Sequence, residues 1–86
     1  FKDAYNAIAE FNKVKEIYET RLRLEQASKS TLDLAQLQYL NGVIGYMDLL
    51  DAQRGYLDAQ IGLSNAVRDK QITMVNLYKA LGGGWQ

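Results

Sequence analysis

Cysteine, histidine and proline are all missing from this chain of 86 residues. Without thiolate or imidazole ligands, zinc sites of the usual Cys and His type are excluded, and no disulfide is available to stabilise a small core. Without proline, nothing in the side-chain inventory kinks or breaks a helix from within. An excess of one charge sign is absent too. Ten Lys plus Arg balance ten Asp plus Glu, and the basic residues are dispersed along the chain, which argues against a nucleic-acid interface. Apolar runs extend only a few residues, against the roughly 20 needed to cross a bilayer as a helix, and the first residues carry no signal-peptide pattern. The helical pattern is already under way at Phe1, where neither a methionine nor a capping residue stands. A piece of a longer chain is therefore expected.

What is present is helical periodicity. From Phe1 to about Tyr39 the apolar residues Phe1, Ala4, Tyr5, Ile8, Phe11, Val14, Ile17, Tyr18, Leu22, Ala27, Leu34 and Leu37 recur mostly at steps of three and four. Strong helix formers fill the gaps, and Glu19 before Arg23 and Glu25 before Lys29 are spaced for i,i+4 pairs worth a few tenths of a kcal/mol each. Ser28, Ser30 and Thr31 are the weakest stretch, but with no glycine or proline there the reading is one helix running through. Asn41 and Gly42 then supply turn chemistry, and Gly45 repeats it. A second pattern runs from Tyr46 to Leu81, where Gly82, Gly83 and Gly84 offer the residue that best adopts the left-handed position after a helix. The predicted fold is all-α, a long antiparallel two-helix hairpin of coiled-coil type. It comprises one domain, residues 1–86: a helix over about 1–40, a tip at 41–45, a helix over about 46–81 and a tail at 82–86. Each helix should be roughly 55 to 60 Å long at 1.5 Å per residue.

The second helix carries two apolar or small stripes. One is Leu49, Ala52, Tyr56, Ala59, Leu63 and Ala66; the other is Met47, Leu50, Leu57, Ile61, Ile72 and Val75. A helix in a simple hairpin needs one such stripe, so two imply neighbours on two sides, as in a wall. A third face, Asp48, Asp51, Gly55, Asp58, Gly62, Asn65 and Asp69, gathers acids, an amide and glycines and should be wet. Two helices sharing one seam recover little of their ordering entropy. The hairpin alone should be marginal, and the isolated chain is expected to self-associate as a helical bundle, most simply a two-fold homodimer.

Asp48 and Asp51 share one face directly after the turn, a spacing compatible with acid/base chemistry. Two rods without strands or loops provide no pocket to desolvate a carboxyl, so no catalytic, cofactor-binding or metal-ligating residue is assigned and an enzyme is not expected. The bland reading is that acids in a first helical turn complement the helix dipole. The sharper one is electrostatic: copies of this turn gathered around an axis would place the acids in rings that attract cations and narrow a passage. Tyr39, Tyr46, Tyr56 and Tyr78 read as seam residues with polar tips, with Tyr39 set apart because it immediately precedes the break. Arg54 is placed for an i,i+3 pair with Asp51, worth under about 1 kcal/mol when exposed. Trp85 after the triple glycine reads as a polar tail following a helix stop, or as an interfacial anchor.

Three strings carry a family resemblance: Gln38-Tyr39 before Gly42; Tyr46-Met47-Asp48-Leu49-Leu50-Asp51-Ala52-Gln53-Arg54; and Val75-Asn76-Leu77-Tyr78-Lys79-Ala80-Leu81-Gly82-Gly83-Gly84-Trp85. With these the chain resembles the C-terminal part of a TolC-like outer-membrane efflux channel, of the branch paired with resistance-nodulation-division pumps. The resemblance covers the whole chain. It implies a homotrimer with a β-barrel in the outer membrane and an α-helical tunnel across the periplasm, to which each subunit gives two hairpins. This chain would be the second hairpin, with Asn41, Gly42, Val43, Ile44 and Gly45 at the periplasmic tip that meets the adaptor protein. Asp48 and Asp51 match acids lining the narrowed entrance, and Tyr39 matches a tyrosine that holds it closed. Ile44 stands where some members have an arginine, so no charged latch is carried over. An inner-membrane pump would supply the energy for export of small molecules, and no cofactor is implied. The alternative from another class is a soluble coiled-coil interaction module without a transport role, which predicts indifference to the turn sequence.

Overall fold

Two uninterrupted runs of helix-forming residues become two long helices in the computed structural model, which describes residues 2–82. Helix α1 spans Lys2–Leu40 and α2 spans Tyr46–Leu81. They lie antiparallel in a rod of 64 × 17 × 14 Å. The expectations for Phe1, for the Ala4 side chain and for residues 83–86, Trp85 included, fall outside the described residues. Among the described residues no helix is long and apolar enough to cross a membrane.

The seam follows a seven-residue repeat. On α2 the residues turned inward are Leu49, Ala52, Tyr56, Ala59, Leu63, Ala66, Lys70, Thr73 and Leu77, alternating steps of three and four without a break. On α1 they are Ala7, Phe11, Val14, Tyr18, Leu22, Glu25, Ser28, Leu32, Ala35 and Gln38. Such a repeat keeps one stripe facing the partner only if the two helices wind gently around each other. The first stripe read from the sequence of α2 is thus the seam. The residues buried in it are Ala35, Leu49, Ala59, Ala66 and Thr73, and no buried side-chain oxygen or nitrogen among the described residues lacks a partner.

Burying a methyl group contributes about 0.8 kcal/mol, against about 1.5 to 3 kcal/mol for a whole leucine side chain. The alanines at the most buried levels hold the helices close, while Phe11, Val14, Leu22, Leu32, Leu63 and Leu77 in the seam are only half-buried. Further large apolar groups lie outside it: Ile17, Leu24, Leu34 and Leu37 on α1 are exposed, as are Met47, Leu57, Ile61, Ile72 and Val75 of the second α2 stripe. Leu50 is half-buried.

Local details differ from the sequence reading at several points. The pairs Glu19–Arg23, Glu25–Lys29 and Asp51–Arg54 do not form; Arg23 instead donates to Thr20 Oγ1 at 3.3 Å, and Glu25 turns into the seam. The ion pair found among the described residues is Arg68–Asp69, at 3.7 Å. Tyr46 and Tyr78 are exposed instead of lying in the seam, because their positions are out of phase with the repeat; Tyr56 is half-buried within it. Gly82 caps α2 with φ −173°, an extended backbone open to any residue, and its N–H still reaches Tyr78 O at 3.1 Å.

Candidate functional site

The tip is built by the end of α1. Gly42 has φ +75°, the one left-handed residue among those described, and around it the backbone N–H of Val43 donates to Gln38 O at 2.8 Å while the N–H of Gly42 donates to Tyr39 O at 3.1 Å. This pair of bonds satisfies two carbonyls that the last helical turn leaves open, and it needs a residue without a Cβ at its centre. Gly42 alone makes the reversal. Gly45, read from sequence as a second turn glycine, sits in extended conformation (φ −83°, ψ 172°) as the residue preceding α2, without a side chain to cap it.

Above the turn the rings of Tyr39 and Tyr46 meet with centroids 5.8 Å apart and planes tilted by 52°, a favourable arrangement for two aromatic quadrupoles. Tyr39 thus joins the last turn of α1 to the first residue of α2. Leu49 closes the seam just inside, buried, with its N–H on Gly45 O at 3.3 Å. Around this closure Leu40 (79% exposed), Met47 (69%) and Val43 (67%) form an apolar crown in solvent. Asn41 is exposed, and Ile44 is half-buried.

Asp48 stands in the first turn of α2, where the helix dipole favours an acid. Asp51 follows one turn on, and both carboxylates are exposed. Seven-residue spacing sets Asp48, Gly55, Gly62 and Asp69 in one row beside the seam, with Asp51, Asp58 and Asn65 in the next. Asp51 edges an open groove of ≈ 300 Å³ whose lining includes Leu24, Ala27, Ser28 and Thr31 of α1 and Ala52, Gly55 and Tyr56 of α2. The small residues on both helices at this level make the groove. No cluster of three or more acids able to hold a metal ion occurs among the described residues.

Three interhelix contacts escaped the sequence reading. The Tyr56 hydroxyl donates to Glu25 Oε2 at 3.0 Å. This bond to a carboxylate, followed by burial and by the negative charges of Glu25 and Asp33, raises the phenol above its ordinary value of 10.0, against an opposing hydrogen bond with Gln60. The second contact is Lys70 Nζ over the Tyr18 ring, 4.4 Å from its centroid. The third is Arg21 lying across Gly62: a Cβ placed there would meet Arg21 Nη1 at 3.2 Å and Cδ at 3.5 Å. A signal for the first did exist, since Glu25 falls in phase with Phe11, Tyr18 and Leu32 at seven-residue intervals.

These features define a class: an antiparallel helical hairpin with an alanine-floored seam, an apolar back, an acid row along one side and a tightly wound tip. The chain belongs to the outer membrane efflux protein family, whose model matches residues 1–83. It is 31% identical over 85 residues to the probable outer membrane lipoprotein SilC of Salmonella typhimurium, an alignment covering 99% of this chain and 18% of that protein. To the outer membrane protein OprJ of Pseudomonas aeruginosa it is 32% identical, again over 99% of this chain and 18% of the relative. The solvent efflux pump outer membrane protein SrpC of Pseudomonas putida is 47% identical over 57 residues, 66% of this chain and 12% of that protein. The chain thus spans about a fifth of the length of the curated relatives it matches end to end. No solved structure gives a significant match.

Proposed function

We propose that this hairpin is a stave of the periplasmic tunnel in a trimeric outer-membrane efflux channel, with the acid row turned toward the lumen and the 41–45 tip at the entrance. One observation carries the reading: besides the stripe that forms the seam, α2 leaves a second set of large apolar side chains, Leu57, Ile61, Ile72 and Val75, exposed and uncovered by α1. A helix so arranged has apolar surface left to bury against lateral neighbours, as a wall element would. Asp48 and Asp51 then ring the narrowed mouth, and Tyr39, stacked on Tyr46, holds the turn at which the mouth opens or closes. The apolar crown of Leu40, Val43 and Met47 is the surface a periplasmic adaptor protein would cover, with Asn41, Gly42, Ile44 and Gly45 shaping it. The duct is passive, and an inner-membrane pump supplies the energy. In this reading the segment lies in the periplasm and the whole protein in the outer membrane.

The test is made in the full-length channel. Asp48→Ala with Asp51→Ala should change single-channel conductance and relieve block by polyvalent cations; unchanged values would remove the acids from the mouth. Val43→Glu with Leu40→Glu should abolish adaptor cross-linking and restore drug sensitivity while trimers persist. If efflux survived that pair, the tip would have no docking role.

A further inference from the structure

Arg21 lies across the acid-row side of the hairpin. Its aliphatic stem and guanidinium rest on Gly62, in the same row as Asp48, Gly55 and Asp69, where the missing Cβ leaves a seat that alanine would fill. Among the described residues Arg21 has neither a hydrogen bond nor an ion pair, so its five donors stay free on an exposed residue. Glu16 shares an open groove with Ile17, Thr20 and Arg21 without pairing to it. Further along the row Asp69 is engaged by Arg68. On α2 the acids of this face without an ion pair, Asp48, Asp51 and Asp58, lie on the tip side of Gly62, and Arg21, with Glu16 of α1 in the groove beside it, stands inward of them. Fourteen residues separate Asp48 from Gly62, about 21 Å along the helix, or roughly two Debye lengths at 0.1 M salt. Asp58, four residues and about 6 Å from Gly62, lies within one Debye length, so it is the Asp48 station that acts on a passing ion separately from Arg21.

We propose that Arg21, seated across Gly62, is a charge-selectivity residue of the channel: three copies in the trimer form a positive belt inward of the acid mouth, which opposes small cations and favours anionic groups on permeating solutes. This rests on the reading of the acid row as lumen-facing. Gly62 is the positioning residue, since it acts only by fixing where the guanidinium lies.

The experiment uses the full-length trimer in planar bilayers under a KCl gradient. Arg21→Gln should raise the K⁺ to Cl⁻ permeability ratio by about twofold, as expected for removing a ring of fixed charge from a water-filled passage. Arg21→Lys should keep the ratio, and Gly62→Ala should shift it in the same direction as Arg21→Gln but less, because the charge remains while its seat is lost. A ratio unchanged in Arg21→Gln overturns the belt, and a ratio unchanged in Gly62→Ala overturns the seat. Asp58→Cys supplies the separate control. If a water-soluble thiol reagent added to the bilayer chamber alters its conductance, the lumen assignment stands whatever Arg21 does; if it does not, that assignment fails first.

Discussion

The Tyr56 hydroxyl and the Glu25 carboxylate are joined at 3.0 Å across a seam otherwise floored by alanine. The bond places a polar layer at one level of a seven-residue repeat in which Leu49-Ala52, Tyr56-Ala59 and Leu63-Ala66 look much alike. One partly buried polar pair in such a seam favours the native register over neighbouring ones. Tyr56→Phe should lower the melting temperature, because the Glu25 carboxylate loses its hydrogen-bond donor, with Glu25→Leu added to it recovering part of the loss. Thermal melts followed by helix circular dichroism, at one fixed chain concentration, would check both.

The same pair sets an alkaline limit. The phenol is raised in the folded state, chiefly by its bond to Glu25, so the folded chain holds this proton more tightly than the unfolded one. Stability from this source is complete below the unfolded value near 10.0 and falls as pH climbs through the raised folded value. Melting temperature should therefore drop more steeply above pH 10 in the native chain than in Tyr56→Phe. Parallel curves would show that the bond does not couple to folding.

Gly42 and Gly45 should respond in opposite ways. At Gly42 the left-handed φ of +75° makes alanine cost about 1 to 2 kcal/mol, although open space surrounds the position. Gly45 is already extended and equally uncrowded, so Gly45→Ser adds a capping oxygen and should gain a few tenths of a kcal/mol. Urea midpoints of the two variants, read against the native chain, give the contrast directly.

Seam and back can be separated by size. Ala59, 4% exposed, has no room for a longer side chain, and Ala59→Leu should cost about 1 to 3 kcal/mol by overpacking. Leu57→Ser with Ile61→Ser, on the exposed stripe, should leave helix content nearly unchanged in the associated range but raise the concentration at which the isolated chain dimerises. Size exclusion with light scattering measures this; a native chain that is monomeric at all concentrations would contradict the expected homodimer.

Two rods and a reversal could be read from sequence because three- and four-residue steps are a strong signal and Asn41-Gly42 is a strong stop. The stripe from Leu49 to Ala66 was legible for the same reason, as one of two apolar faces, but not as the one that forms the seam. On α1 the seam was harder to see, since Glu25, Ser28 and Gln38 occupy inward positions while Leu34 and Leu37 point out; hydrophobicity alone misleads where polar residues interrupt the seam. The three absent ion pairs were misjudged because spacing permits a contact without making it win over water or over a seam partner. At the tip, glycine content signalled a turn but not which glycine carries the left-handed φ. Nothing in the sequence indicated that Arg21 would lie on Gly62, since the two meet only once the helices are aligned 41 positions apart.

The alanine floor of the seam has a further consequence for the order of events in assembly. A rod that closes on alanine at its most buried levels and leaves large apolar groups on its back still has much to gain from its neighbours, so folding and joining a wall become one thermodynamic step. Such a chain, released alone, would have a melting point that depends on how much of it is present. Its lifetime in a cell would be set by how soon another hairpin arrives.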